Sequence, residues 1–184
     1  MKRIFDISVA VFVLIIIAPI LLIIAVLVKI ESKGPVLFNQ ERVGLYGESF
    51  YIYKFRSMVQ NASEIGPYFT DHNDKRITKV GKLIRRTSID ELPQIINVIK
   101  GEMSLVGPRP NVFAQRPEYD ADDWEMRNSV RPGITGLAQA LLRSSATPDE
   151  RTALDLEYVE KASFMLDLKI LLLTVKQVFM KGGN

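Results

Sequence analysis

The chain has 184 residues, enough for one domain with a modest core. It has no cysteine and one histidine, His72, which excludes a disulfide framework and thiolate chemistry and leaves too few ligands for structural zinc. Net charge is only +3, so any basic surface is local, and no nucleic-acid partner is expected.

Residues 7–28 are apolar apart from Ser8. That length matches a bilayer-crossing helix and exceeds the apolar core of a signal peptide. Residues alone leave three readings: a spanning helix, a buried core helix and a re-entrant hairpin. Pro19 lies just past the middle of the run, where it removes a backbone donor and kinks a helix. Lys2 and Arg3 precede the run, and Lys29 and Lys33 follow it. Basic flanks on both sides give little orientation signal for spanning and suit a segment whose ends share one face of the membrane.

Residues 35–58 read as a β-hairpin, with 36–38 opening one strand, 50–55 forming the other, and Gly44 and Gly47 turning between them. Tyr51, Tyr53 and Phe55 alternate with Phe50, Ile52 and Lys54, so the two faces differ. The aromatic hairpin reads as packing, with Lys54 and Arg56 facing headgroups or substrate phosphates. Residues 61–73 are mostly polar and hold the breaker Gly66-Pro67 and His72, so they read as a loop. Residues 75–86 then carry six basic side chains and no acid, a surface suited to anionic lipid beside a membrane segment.

Two adjacent carboxylates follow, Asp90 and Glu91, and Leu92, Ile95, Ile96 and Ile99 recur at helical spacing. Ser88 with Glu91 fits a capping box but leaves Pro93 too deep in the helix. Asp90 as N-cap puts Pro93 in the first turn and is the preferred reading. Gly101 is the expected stop, and a rigid Pro-Arg-Pro at 108–110 closes the stretch. Carboxylates at a helix start, with arginines before and after them, suit phosphate chemistry. The helix N-terminus and the guanidinium groups attract phosphate, and carboxylates hold a divalent cation or attack.

Residues 111–128 are acidic and hold the sole tryptophan, Trp124, on a surface helix or a docking surface. Arg131-Pro132-Gly133 and Gly136 read as turns able to approach a phosphate. Thr147-Pro148-Asp149-Glu150 starts a helix, with an N-cap, an N1 proline and a box-forming Glu, followed by Leu154 and Tyr158 on one face. In the last helix, Met165, Leu168, Leu171, Leu172, Val175 and Phe179 share one arc, while Asp167, Thr174, Gln177 and Lys181 lie opposite. The apolar arc is expected to pack on the core, the alternative being a helix lying on the membrane surface.

The run S-I-D-E-L-P-Q-I-I-N-V-I-K-G-E-M-S-L-V-G-P-R-P at 88–110 resembles the signature of the bacterial sugar transferases, and the chain is similar to the small monotopic phosphoglycosyl transferases. K-F-R-S-M (54–58), D-K-R-I-T-K-V-G-K-L-I-R-R (74–86), R-P-G-I-T-G-L-A-Q (131–139) and S-F-M-L-D-L-K-I (163–170) extend the likeness along nearly the whole chain. Two positions depart from the family pattern: Ala18 stands where serine usually precedes the proline, and Ala140-Leu141-Leu142 replaces an Asn-Gly turn.

The resemblance implies an α+β, mainly helical fold. Residues 1–33 would form a membrane re-entrant helix-break-helix, broken at Pro19. Residues 34–184 would form a compact cytoplasmic catalytic domain with a small β-hairpin and amphipathic interfacial helices. It also implies transfer of a phospho-sugar from a UDP-sugar to polyprenol (undecaprenyl) phosphate at the cytoplasmic face of a bacterial inner membrane, and leaves room for a homodimer. By match to the motif, Asp90 is the nucleophile, Glu91 a Mg²⁺ ligand, and Arg85 a contact of the lipid phosphate. Arg109 and Arg131, and after them Lys54 and Arg56, complete the candidate phosphate contacts. Two rivals stay open: a ternary-complex transferase with Asp90 as base or metal ligand, and a non-enzymatic scaffold with a basic lipid-binding face.

Overall fold

A computed structural model of the chain describes residues 1–62, 65, 74–142 and 146–181, the last four by backbone alone. His72, Gly66-Pro67, Arg143 and the side chains of Phe179 and Lys181 lie outside the described residues. The architecture is mostly helical with two small sheets. A helix α1 (Lys2–Glu31) leads into the hairpin β1 (Leu37–Val43) and β2 (Ser49–Phe55). There follow α2 (Lys79–Arg86), a 3₁₀ segment (Ile89–Gln94), α3 (Ile95–Lys100), β3 (Ser104–Val106) and a second 3₁₀ segment (Phe113–Glu118). The rest comprises α4 (Ala121–Arg127), β4 (Gly133–Thr135), α5 (Leu137–Leu142), α6 (Pro148–Glu160) and α7 (Phe164–Lys181).

Among the described residues α1 is the one helix long and apolar enough to cross a membrane. Helix continues through Pro19. Phe12, Ile15, Ile16, Ile20, Leu22 and Ile23 are exposed along its middle, which excludes a buried core helix. Its two ends, however, are both packed on the rest of the chain. At the start, Lys2 pairs with Asp167 (2.5 Å), Ser104 donates to the buried Asp6 (2.8 Å), and Ala10 joins the main core. At the end, Ile24 and Val28 pack with Phe55 and Ile84, and Glu31 accepts from the backbone N–H groups of Lys79 and Val80.

The hairpin forms as read, antiparallel with Phe50 opposite Arg42, Ile52 opposite Gln40 and Lys54 opposite Phe38. Paired residues share a face, so Arg42 and Lys54 lie on the same side as the buried Phe50 and Ile52. The hairpin is fastened to α3 by the fully buried Asn97. Its amide donates to the Tyr51 carbonyl and to Glu102, and its oxygen accepts from the Tyr53 N–H. Gly101 ends α3 at φ 95°, the left-handed stop expected of it. Thr147, Pro148 and Glu150 form the expected capping box of α6.

Four expectations are corrected. Neither Ser88 nor Asp90 caps α3 through its side chain. Ser88 sits at φ 55°, and the chain winds as a 3₁₀ segment through Pro93 before α3 begins at Ile95. Pro93 has no N–H to donate and its ring crowds the preceding turn, so the regular helix waits until it is passed. Gly133 lies in β4 rather than in a turn, paired parallel with β3.

The third correction is α7, whose inward face is rotated from the arc read as apolar: Ile170 is fully buried with Leu166, Leu171 and Leu173 packed on the core around it, and three polar side chains share that face. Asp167 is 3% exposed, Thr174 shares a hydrogen bond with Thr135, and Gln177 donates to the Ala140 carbonyl. Met165 and Leu172, read as core, are 73% and 71% exposed, and Val175 is exposed as well. The polar side chains face inward because the groups they meet are polar. Asp167 accepts from Lys2 and from Tyr158, whose hydroxyl also donates to the Val106 carbonyl. Trp124 does not project for docking either. It is 8% exposed, edge-on to Tyr119 and covered by the Arg116 guanidinium.

Candidate active site

The site gathers at the 3₁₀ segment. The left-handed turn at Ser88 reverses the chain after α2, so that Asp90 comes within electrostatic reach of Arg85. Arg85 is aimed by a hydrogen bond from its Nε to Ser57 Oγ (2.7 Å). Ser57 is close because α2 sits directly on it: a Cβ on Gly81 would meet the Ser57 carbonyl oxygen at 2.0 Å.

Glu91 is the hub. One oxygen accepts from Lys54 (2.8 Å) and from Arg109, and the other from Arg109 at 3.2 Å. Lys54 comes from β2, Arg109 from the Pro-Arg-Pro segment, and Glu91 from between α2 and α3. Burial works against the Glu91 carboxylate, but Arg109 and Lys54 outweigh it and hold its pKa well below the ordinary range. Burial lowers the pKa of Lys54, with Glu91 pulling the other way. Arg42 stands beside this pair, donating to the Pro110 carbonyl and to Gln40. Burial and the charge of Arg109 lower it to about 10, and its Nε has no partner.

Asp90 behaves oppositely to its neighbour. Burial raises its pKa to about 6 and Glu91 adds to this, against the pull of Lys54 and Arg85. The short 3₁₀ segment offers little dipole, and Arg109 and Lys54 hydrogen-bond to Glu91 rather than to Asp90. Four cationic side chains, Arg42, Lys54, Arg85 and Arg109, thus surround two carboxylates. That surplus of positive charge favours a multiply charged anion such as a diphosphate.

Two candidate contacts are engaged elsewhere. Arg56 is 6% exposed and donates to the carbonyls of Ser32 and Lys33 and to Ser32 Oγ, closing the end of α1. Arg131 donates to the Gly101 carbonyl, at the far end of α3 from the carboxylates. Sequence reasoning missed Arg42 and Ser57. The hairpin's alternation could have found Arg42, which the register places on one face with Lys54. Ser57 lies inside the K-F-R-S-M run that carries the family likeness, but nothing in the local pattern gives it a partner.

The sequence profile of the family described as bacterial sugar transferase matches residues 1–181. The chain belongs to the bacterial sugar transferase family. The chain is 44% identical over its whole length to an uncharacterized sugar transferase of Bacillus subtilis, EpsL, of which it covers 89%. A UDP-N-acetylgalactosamine-undecaprenyl-phosphate N-acetylgalactosaminephosphotransferase of Aeromonas hydrophila is 44% identical over 99% of the chain. A UDP-glucose:undecaprenyl-phosphate glucose-1-phosphate transferase of Klebsiella pneumoniae is 45% identical over 97% of it. The chain spans 44% and 40% of the lengths of these two relatives.

Among the described residues no three His, Cys, Asp or Glu side chains cluster as a metal cage. The pair Asp90–Glu91 still fits a magnesium-type cation, which binds through one or two carboxylates plus substrate phosphates and water. A cation there would relieve the burial and repulsion that push Asp90 toward its protonated form. The geometry attaches a condition: one oxygen of Glu91 already accepts from both Lys54 and Arg109, so a cation bound through it must share or displace one of them.

Proposed function

We propose that this sugar transferase moves a phospho-sugar from a UDP-sugar to polyprenol phosphate, releasing UMP, at the cytoplasmic face of a bacterial inner membrane. The observation that carries this reading is the surplus of cations around Asp90 and Glu91, in a chain whose relatives are named for that transfer. An Asp90 carboxylate oxygen attacks the phosphorus that bears the sugar. The bond from that phosphorus to the bridging oxygen breaks, and UMP leaves with the electron pair. A phosphate oxygen of the polyprenol phosphate then attacks the acyl phosphate and returns the carboxylate. Arg109 and Lys54 hold Glu91 and present positive charge to the diphosphate. Arg85 faces Asp90 from the side of α2, where the lipid phosphate would enter. Mg²⁺, held by Glu91 and Asp90 together with the diphosphate, would neutralise charge on the leaving group.

A raised pKa also suits a general base, so a ternary complex is the second reading. One experiment separates them. With UDP-sugar and Mg²⁺ but no lipid, rapid quench should give at most about one UMP per active site and a phospho-sugar adduct on the peptide containing Asp90. UMP that appears only when both substrates are present, with no adduct, would favour the ternary complex.

The membrane arrangement belongs to the same proposal. A straight 30-residue helix is about 45 Å long, enough to place its ends on opposite sides of a bilayer. Here both ends are tied to the body that carries the site, through Lys2–Asp167 and Glu31–α2. We therefore assign a re-entrant course, with the exposed middle of α1 in lipid and the exposed apolar arc of α7 on the surface. Single cysteines placed beside Lys2 and Lys33 should both resist an impermeant thiol reagent in intact cells and both react after permeabilisation. External labelling near Lys2 with protection near Lys33 would mean a spanning helix.

A further inference from the structure

The side chains of Arg127 and Asp155 are almost completely buried, 1% and 3% exposed, and paired at 2.8 Å. Arg127 closes α4 and Asp155 lies within α6. A buried ion pair is a poor source of stability, since an apolar pair of similar volume often does as well or better. This one supplies something an apolar pair could not. While Nε of Arg127 donates to Asp155, Nη2 also donates to the backbone carbonyl of Arg109 at 2.5 Å.

The surroundings of that carbonyl show what is being held. The Pro108 carbonyl accepts from the Gly133 N–H, Pro110 from Arg42, and Asn111 from the Val43 N–H. Gly107 donates to the Thr135 carbonyl, and Val106 accepts from Lys2 and Tyr158. Four successive carbonyls from Pro108 to Asn111 are therefore clamped, and the one on Arg109 depends on a side chain from a distant helix. Arg109 is the residue whose guanidinium grips both oxygens of Glu91.

We infer that Arg127, anchored by Asp155, is a positioning residue for the transfer: it fixes the backbone of Arg109 and so the guanidinium that holds Glu91. The inference rests on the proposed function for its effect on rate, but not for the clamp itself. Arg127 touches no reacting atom. Its role is to remove the freedom of a segment whose displacement by about 1 Å costs about a hundredfold in rate.

The test is a double-mutant cycle with a structural readout beside it. Arg127→Leu/Asp155→Leu removes charge and donor together and leaves no unpaired ion. It should keep the melting temperature of the wild type within a few degrees while lowering UMP release about tenfold to a hundredfold. In an Arg109→Lys background, where the two-pronged grip on Glu91 is already lost, the same leucine pair should lower the rate less than about threefold. Hydrogen exchange on the peptide spanning 104–112 should quicken in the leucine pair whatever the catalytic outcome. Should the leucine pair fail to fold, Asp155→Asn, which weakens the anchor and leaves Arg127 in place, carries the same cycle. Unchanged exchange, wild-type turnover in the leucine pair, or losses that multiply fully with Arg109→Lys would overturn the inference. Faster exchange in a protein whose wild type releases no UMP would instead overturn the proposed function and leave the clamp standing.

Discussion

Asp90→Asn is expected to abolish turnover and to make the folded protein more stable. The first effect follows from the proposed chemistry, since a carboxamide is nearly isosteric but does not attack phosphorus. The second follows from electrostatics. The Asp90 carboxyl is raised from 3.8 to about 6, first by burial and then by Glu91, against Lys54 and Arg85. A carboxyl raised in the folded state binds its proton more tightly folded than unfolded. Its ionisation therefore costs stability as the pH climbs from about 4 to about 6, and the whole cost stands above that window. Two units correspond to at most about 3 kcal/mol, and each kcal/mol moves the midpoint of a domain this size by about 2–4 °C.

Thermal melts at pH 7.5 should place Asp90→Asn above wild type, with the difference shrinking toward pH 4. A variant less stable than wild type at pH 7.5 would contradict the burial argument. The same titration predicts that activity falls on the acid side, with the limb below pH 6 once a cation offsets the charge of the pair. Arg85→Ala should move that limb upward, because Arg85 favours the ionised form. Loss of function coupled to gain of stability would mark Asp90 as a site where the fold carries strain for chemistry.

Glu91→Gln is expected to fail in the opposite way, losing activity and stability together. Glu91 is the shared partner of Lys54 and Arg109, whose side chains are 16% and 40% exposed. Removing one member of a fully buried pair costs about 3–5 kcal/mol; the exposure of Arg109 brings the expected loss here to about 2–3 kcal/mol. With Glu91 neutral, the carboxylate that most opposes the burial of Lys54 is gone, so part of the loss is relieved as Lys54 gives up its proton more readily. The stability defect should therefore be larger at pH 6 than at pH 9. Metal dependence needs its own measurement, because low activity in Glu91→Gln has two causes. Chelation of the wild-type protein isolates one: activity should vanish and return on adding Mg²⁺, with the melting temperature of the chelated protein still above that of Glu91→Gln. Full turnover in chelator would remove the metal from the mechanism.

Lys54 shows how far local pattern reaches into this site. Strand alternation puts it on the face of Phe50 and Ile52, and a lysine on a buried face calls for an acidic partner. The adjacent Asp90 and Glu91, the stop at Gly101 and the box at Thr147 are equally local, because each is set by residues within a turn or two. Which carboxylate takes the cations was not local. Asp90 and Glu91 are neighbours in sequence, yet one is pushed up to about 6 and the other held far down. The difference lies in where β2 and the Pro-Arg-Pro segment deliver Lys54 and Arg109.

Helix α7 marks the same boundary. Its periodicity established two unlike faces, as 3.6-residue spacing must, but amphipathicity has no sign of its own. An apolar arc packs inward only when the surroundings it meets are apolar and the other side is water. Here Lys2, Tyr158 and Thr135 meet Asp167 and Thr174 on the inside, beside the core-packed Leu166, Ile170, Leu171 and Leu173, so that mixed face turns in and Met165, Leu172 and Val175 are left outside. Arg56 and Arg131 carry the charge that phosphate recognition asks for, but the tertiary fold ties them to carbonyls just beyond the ends of α1 and α3. The sequence by itself determined the adjacent carboxylates, the candidate cations and most of the local elements that carry them, because those depend on neighbours along the chain. Only the tertiary structure decided which charges meet and which face turns inward, because a charge finds its partner through contacts between elements far apart in sequence.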